Sequence, residues 1–422
     1  MNRPTLDDAT LLARLRELGE VGRGADGRLT RLAGSAADGA GRDLVAGWMR
    51  AAGLAVTIDA VGNLIGLWQG SAPVGAAPVM IGSHIDTVID AGIYDGCYGV
   101  LAGLAVIEAL QAAGTRLARP VALAAFTNEE GVRFAPDMLG SLVYAGGMAP
   151  EEALAIRGTD GVTLREALAA IGYAGEAAPG FLRPHAYLEL HIEQGPVLEH
   201  EGIAIGAVDR LQGISWQSFR LSGEANHAGT TPMALRRDAG LVAAQAIAFL
   251  REAIAPRGGT TLATVGTLSL DPGAINVIPG TARFTLDLRD PDEARLAAAE
   301  QRFATALRQL AEAEGVTVET TRLARFAPVL FDAGLVARIE ASAARRKLSC
   351  RRITSGAGHD AQMLARICPA AMIFVPSQGG ISHNPREFTS PRQLADGAAV
   401  LLDGVAALAA PPGPAGAAQG GS

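Results

Sequence analysis

The chain has 422 residues, 49% hydrophobic, 19% charged and 5% aromatic, enough for about two or three domains and a sizeable core. Its 52 glycines follow no period and its 22 prolines are scattered, which excludes collagen-like, coiled-coil and largely disordered chains. A net charge of −7 offers no basic face to a phosphate backbone, so a small solute, not nucleic acid, is the expected partner.

The opening stretch MNRPTLDDATLLARLRELGE alternates acidic with apolar residues as a capped helix does, unlike a signal peptide. No apolar run reaches the roughly 18 residues of a membrane span, so a cytoplasmic chain without membrane contact is expected. Helical periodicity covers 6–19, 42–53, 96–113 and 164–171, the last after Thr163 as N-cap. Apolar runs at 78–84, 121–127 and 186–192 read as strands buried on both faces, hence a mainly parallel sheet covered by helices. From 212 the pattern changes. A half-exposed strand (ISWQSFRLSG), a helix over 234–254, strands TLATVGTLSL and ARFTLDLRD around the turn-rich DPGAINVIPG, a helix over 292–314 and the strand VTVETTRLA follow in turn. That βαββαβ order is the ferredoxin-like unit. The α/β rhythm then returns with helices 333–347 and 359–366 and a strand over 371–376. The expected division is a catalytic domain of 1–211 and 329–410, an inserted domain of 212–328, and a mobile low-complexity tail over 411–422.

Several chemistries are excluded. Lys347 is the only lysine and lies in a solvent-facing ARRKL stretch, so Schiff-base, carbamylated-lysine and Ser-Lys sites lack a candidate. Cys97, Cys350 and Cys368 are too widely spaced for a thiolate zinc site or a disulfide framework. No P-loop, G-x-S-x-G or H-E-x-x-H occurs.

The seven histidines are more informative. His84, His191 and His383 stand at or just beyond strand carboxyl ends, the edge at which open α/β sheets bind ligands. In GSHIDTV, Asp86 lies two residues after His84 and can accept its second ring N–H. Asp95 follows in the Gly-flanked turn IYDGCYGV. In FTNEEGVRF, Glu129 and Glu130 end a strand, where adjacent carboxylates diverge: one can bind metal while its neighbour serves as general base. Each feature alone has a structural reading, a core histidine or a solvated helix start. Three histidines, an aspartate and a glutamate on one edge form the ligand set of zinc, manganese or cobalt, in a dinuclear site.

The stretches GSHIDTV, YDGCYGVLAG, TNEEGVRF, HIEQGPVLE, HAGTTPM, GAGHDA and GGISHNPRE resemble the zinc-dependent amidohydrolases of the M20 peptidase-like clan, in the hydantoinase/carbamoylase subfamily, over residues 8–408. That subfamily includes N-carbamoyl-L-amino-acid hydrolases, β-ureidopropionases and allantoate amidohydrolases. The resemblance implies that His84 and His191 hold one metal, that Glu130 and His383 hold the other, and that Asp95 bridges them. Glu129 is then the acid/base. It further implies a homodimer in which the inserted domain, as a lid, lends His227, Asn276 and Arg289 to the neighbouring site. Gln194 would touch the polar end of a small ureido acid, and His359 would be a further site residue. Hydrolysis of an N-carbamoyl-L-amino acid is the implied activity, with allantoate as the alternative substrate and a dinuclear aminopeptidase or a non-catalytic binder less favoured. Other roles stay open: Arg289 can pair with Asp287 or Asp290, Asn276 can be a turn residue, and His227 can brace its loop.

Overall fold

A computed structural model describes residues 3–411, so the tail expected over 411–422 lies, apart from Pro411, outside the described residues. The chain divides into two compact units, one running to Asp209 and resuming at Phe331, the other spanning Arg210–Leu330. Among the described residues no helix is long and apolar enough to cross a membrane.

In the first unit the sheet order is Ala55–Ile58, Leu64–Trp68, Val121–Phe126, Val79–His84, Ala186–Ile192, Ala370–Val375 and Ile205–Leu211. The four strands from Val121–Phe126 to Ala370–Val375 are mutually parallel, and antiparallel pairs flank them. All four are wholly buried, which explains why each reads as a mainly apolar run. The helix Cys97–Ala112 is apolar almost all round and buried along most of its length, a core helix against this sheet. Because three of the parallel strands carry His84, Phe126 and His191 at or near their carboxyl ends, the chemistry-bearing turns share one rim.

Some expected bounds shift for local reasons. The helix placed at 42–53 runs from Ala36 to Ala51, because the Ser35 side chain accepts the Asp38 N–H and starts it earlier. The strands Ala55–Ile58, Leu64–Trp68, Ile205–Leu211 and Cys350–Ser355 were not anticipated, being short or only partly apolar flanking strands.

Two buried polar residues tie the flanking hairpin to the functional rim. Arg42 donates to the Asp38 carboxylate (2.8 Å), to the Gly62 carbonyl and to Thr127 Oγ1 (3.2 Å), just past the strand end. Asn63 accepts the Thr127 N–H (3.0 Å) and donates to Asp59 and to the Gly140 carbonyl. Asp59 is fully buried and accepts from the Val61 and Asn63 backbones and the Asn63 amide. Burial outweighs these donors and pushes its carboxyl up to about 6. A folded pKa above the unfolded value means that the folded state holds the extra proton. Stability therefore falls as pH rises from about 4 to about 6, by at most about 3 kcal/mol from this group. Asp59→Asn keeps the oxygen that accepts the backbone N–H groups. Its unfolding midpoint, compared with wild type at pH 4 and pH 7, is expected to gain relative to wild type at the higher pH; parallel profiles would reject this.

In the second unit the strands Leu268–Asp271, Thr281–Asp290, Gly213–Ser222 and Thr317–Phe326 form an antiparallel sheet in that order, with Leu262–Thr264 also paired to Thr281–Asp290. The helices Ala239–Phe249 and Glu293–Glu314 cover one face, completing the βαββαβ arrangement. Phe219 stacks on Phe284 at 4.9 Å, and Phe303 meets Phe219 edge-on at 5.3 Å in its core. The helix placed at 234–254 spans only Ala239–Phe249: Asp238 caps it by accepting from Gly240 and Leu241 N–H, and Leu250–Ile254 loosens into a π-turn. TLATVGTLSL is likewise two strands, interrupted between Thr264 and Leu268.

Candidate metal centre

The site is built on turns that leave the parallel strands. His84 ends Val79–His84, and its Nδ1 meets the Asp86 backbone carbonyl at 3.0 Å. The Asp86 carboxylate stands 3.9 Å from that ring nitrogen and instead accepts the Glu129 and Glu130 N–H groups at 3.2 and 3.3 Å. The expected side-chain contact from Asp86 to His84 is thus corrected: the chain leaves the strand after His84, so period-2 geometry no longer applies and the carboxylate turns to the neighbouring loop. His191 Nδ1 meets the Ile192 carbonyl at 2.8 Å. With each Nδ1–H committed to a carbonyl, both imidazoles present an Nε2 lone pair.

Both Nε2 atoms stand beside Asp95, and that of His191 accepts the Gly96 N–H at 3.1 Å. His191 Nε2 and His84 Nε2 lie 3.2 and 3.6 Å from Asp95 Oδ1. His383 Nε2 lies 3.5 Å from the other oxygen, Oδ2, and 3.4 Å from Glu130 Oε2. Two ligand groups result, His84–Asp95–His191 and Asp95–Glu130–His383, the ligand atoms of each within 4.8 Å of one another. Gly96 is what lets the Asp95 turn come so close. Its φ is +64°, and a Cβ there would fall 2.3 Å from His84 Nε2, so no other residue fits.

Glu129 belongs to neither group, yet its Oε2 lies 3.3 Å from His84 Nε2. Asn128 reaches φ +56° and donates to the Phe134 and Pro136 carbonyls, turning the two glutamates apart. Burial raises the Glu129 carboxyl well above the usual range, and the Asp360, Glu130 and Asp95 carboxylates reinforce this against His84. Burial and then Asp95 raise Glu130 in the same way. Desolvation works against protonation of His84, but the surrounding carboxylates, Glu129 first, raise it well above its ordinary value. Asp95, although desolvated, is held well below the carboxylate range by His191 and His84.

This donor set fits divalent cations. His84 Nε2 and Glu130 Oε1 are buried without a hydrogen-bond partner, and lone pairs of carboxylate and imidazole converge on each other. The buried acids Asp86, Asp95, Glu129, Glu189 and Asp360 crowd one rim, an excess of negative charge that a cation relieves. Borderline nitrogen and oxygen ligands suit zinc, manganese or cobalt.

The remaining residues divide by unit. Gln194, at φ +56°, donates from Nε2 to Asp95 Oδ2 at 2.7 Å and lies 3.5 Å from His383 Nε2, so its amide faces the ligand groups. His359 is buried edge-on against His191 (4.6 Å between ring centroids), with Nε2 3.0 Å from Ser355 Oγ. Desolvation and then His191 hold its pKa well below the ordinary value, so it is a neutral ring supporting a ligand. Three lie in the second unit. His227 accepts the Gly229 and Thr230 N–H groups at Nδ1, leaving Nε2 as the protonated nitrogen. Asn276 accepts the Ala228 N–H through its carbonyl, in the same ribbon that pairs Asn226–His227 with Val277–Ile278. Arg289 is paired with Asp287 at 2.9 Å. Two further residues were missed: Ser382 donates to Asp95 Oδ2 at 2.7 Å, and Glu387 accepts the Tyr94 and Asp95 N–H groups. Glu387 lies in SHNPRE, where it reads as a surface turn acid.

The model of peptidase family M20/M25/M40 matches residues 80–406. The chain belongs to this family. Within it, an N-carbamoyl-L-amino acid amidohydrolase of Geobacillus stearothermophilus is 43% identical over 410 residues, covering 94% of this chain and 98% of the relative. An allantoate amidohydrolase of Bacillus subtilis is 34% identical over 388 residues, covering 92% and 94%. The crystal structure of a hydantoinase/carbamoylase family amidase from Burkholderia multivorans matches with a TM-score of 0.93 and 40% identity, over 97% of this chain and 99% of the other. This M20 chain is therefore a hydrolytic enzyme, placed among the hydantoinase/carbamoylase amidases.

Proposed function

We propose that the protein hydrolyses the C–N bond of a linear ureido acid, an N-carbamoyl-L-amino acid, to the amino acid, carbon dioxide and ammonia. Asp95 carries this reading: it gives one carboxylate oxygen to each of two ligand groups, while Glu129 stands beside them and belongs to neither. The kinship with an N-carbamoyl-L-amino acid amidohydrolase gives the substrate class.

His84 and His191 would hold one divalent ion and Glu130 and His383 the other, with Asp95 between them. Zinc is our first choice. When bound, such ions polarise the ureido carbonyl and acidify water. Glu129 takes the proton of the attacking water as its oxygen adds to the ureido carbon. It then delivers that proton to the amino-acid nitrogen as the C–N bond breaks, and the released carbamate falls apart to carbon dioxide and ammonia. His227, with Nε2–H available, is the donor assigned to the tetrahedral oxyanion. Arg289 exchanges Asp287 for the substrate carboxylate, and Asn276 and Gln194 take its polar groups. In this reading the enzyme is a cytoplasmic homodimer whose 210–330 unit, as a lid, completes the neighbouring subunit's site.

Ammonia release from N-carbamoyl-L-amino acids and from allantoate, before and after exhaustive chelation, tests the proposal. Carbamoyl turnover that vanishes with chelator and returns with zinc, manganese or cobalt is expected. Undiminished turnover in chelator would overturn the metal reading. A preference for allantoate would favour the second substrate, which the Bacillus subtilis relative supports.

A further inference from the structure

We propose that Glu387 and Ser382 form a strut that fixes Asp95 between the two ligand groups and holds the His383 loop against it; the inference rests on the dinuclear reading above. Glu387 is 6% exposed and belongs to neither ligand group. Its Oε1 accepts the backbone N–H groups of Tyr94 (2.9 Å) and Asp95 (3.2 Å), residues almost three hundred positions away in sequence. Its Oε2 lies 3.2 Å from Ser382 Oγ, which donates to Asp95 Oδ2 at 2.7 Å. Glu387 therefore grips the main chain of Asp95, and Ser382, beside it, holds the Asp95 side chain. The loop around it is fitted: a Cβ on Gly92 would fall 2.3 Å from Glu387 Oε1. The next residue after Ser382 is His383, whose φ of +53° is a left-handed conformation that needs support from its surroundings.

The hydroxyl of Ser382 has one proton, and the 2.7 Å contact assigns it to Asp95. Glu387 thus acts as an acceptor of N–H groups, as a positioning residue, neither a ligand nor a proton carrier. An amide can do the same. In Glu387→Gln the carbonyl still accepts both backbone N–H groups, and the new NH2 donates to Ser382 Oγ, leaving the hydroxyl proton on Asp95. Glu387→Ala removes the grip on the Tyr94 and Asp95 main chain.

The test is titration of the metal-free full-length protein with Zn2+ and with Co2+, following ions bound per subunit, the affinity of each and the Co2+ spectrum, with unfolding midpoints recorded alongside. Glu387→Ala should weaken the second ion, on the Asp95–Glu130–His383 group, by about 10–100-fold. Ser382→Ala should shift it in the same direction by less, and Glu387→Gln should stay close to wild type. Wild-type binding by Glu387→Ala would overturn the strut, and so would equal losses in Glu387→Gln and Glu387→Ala. Should Glu387→Ala not fold, Ser382→Ala decides, since it leaves the main-chain grip intact: unchanged second-ion affinity rejects the inference. Wild-type protein that binds fewer than two ions would instead overturn the dinuclear reading, and the strut with it, before any variant is compared.

Discussion

Glu129→Gln should lower kcat on N-carbamoyl-L-amino acids by about 100–10,000-fold, the usual contribution of a positioned general base, while both ions remain bound. The reason is geometric. Glu129 lies outside both ligand groups, yet its oxygen is 3.3 Å from His84 Nε2, so it stands at the edge of the centre without completing either group. Glutamine preserves the shape and removes the ability to accept and return a proton. KM should move little, because a proton taken only in the transition state leaves ground-state binding alone. Glu130→Gln is the informative partner: Glu130 faces His383 in the second group, so that variant should lose metal as well as rate. If Glu129→Gln lost an ion and Glu130→Gln kept both, the two glutamates would have exchanged roles. Activity within tenfold of wild type for Glu129→Gln would remove the base from the mechanism.

How far the sequence discloses this centre depends on which part of it rests on regular backbone. His84 and His191 are legible because they stand at the last and next-to-last positions of mainly apolar strands of a parallel sheet, and such strands deliver their last residues to one rim. The rarity of histidine sharpened that reading. The Asp86 contact is not legible from the strand, because its alternation ends at His84, where the chain bends. Glu387 is silent in the sequence for the opposite reason: no periodicity marks a loop residue whose partners are two backbone N–H groups contributed by a distant turn. Short flanking strands escaped notice as well, since Ala55–Ile58 is four residues long and only partly buried. In the inserted unit the element order was readable, because the alternation in Gly213–Ser222 records one covered and one open face. The length of its first helix was not, since a capping aspartate and a π-turn override the apolar pattern at either end.

Asp95→Asn should have the larger effect on the metals themselves. The carboxylate supplies an oxygen to each group, Oδ1 toward His84 and His191 and Oδ2 toward His383. An amide has one oxygen and one NH2, and the NH2 has no lone pair to offer, so at most one group keeps its full ligand set. The expected stoichiometry is one ion per subunit or fewer. On the proposed two-ion reading, loss of one ion forfeits several kcal/mol of transition-state stabilisation, about a thousandfold or more in kcat. The substitution is isosteric, and the turn that carries it is held by backbone contacts to Glu387, so the fold should persist. Gln194 and Ser382 both donate to Oδ2, which favours the amide oxygen at that position and the NH2 toward the two buried histidines. The ion on His84 and His191 should accordingly be the one lost. Metal analysis and Co2+ spectra of the purified variant would check this, and retention of two ions with kcat within tenfold of wild type would show that Asp95 does not bridge them.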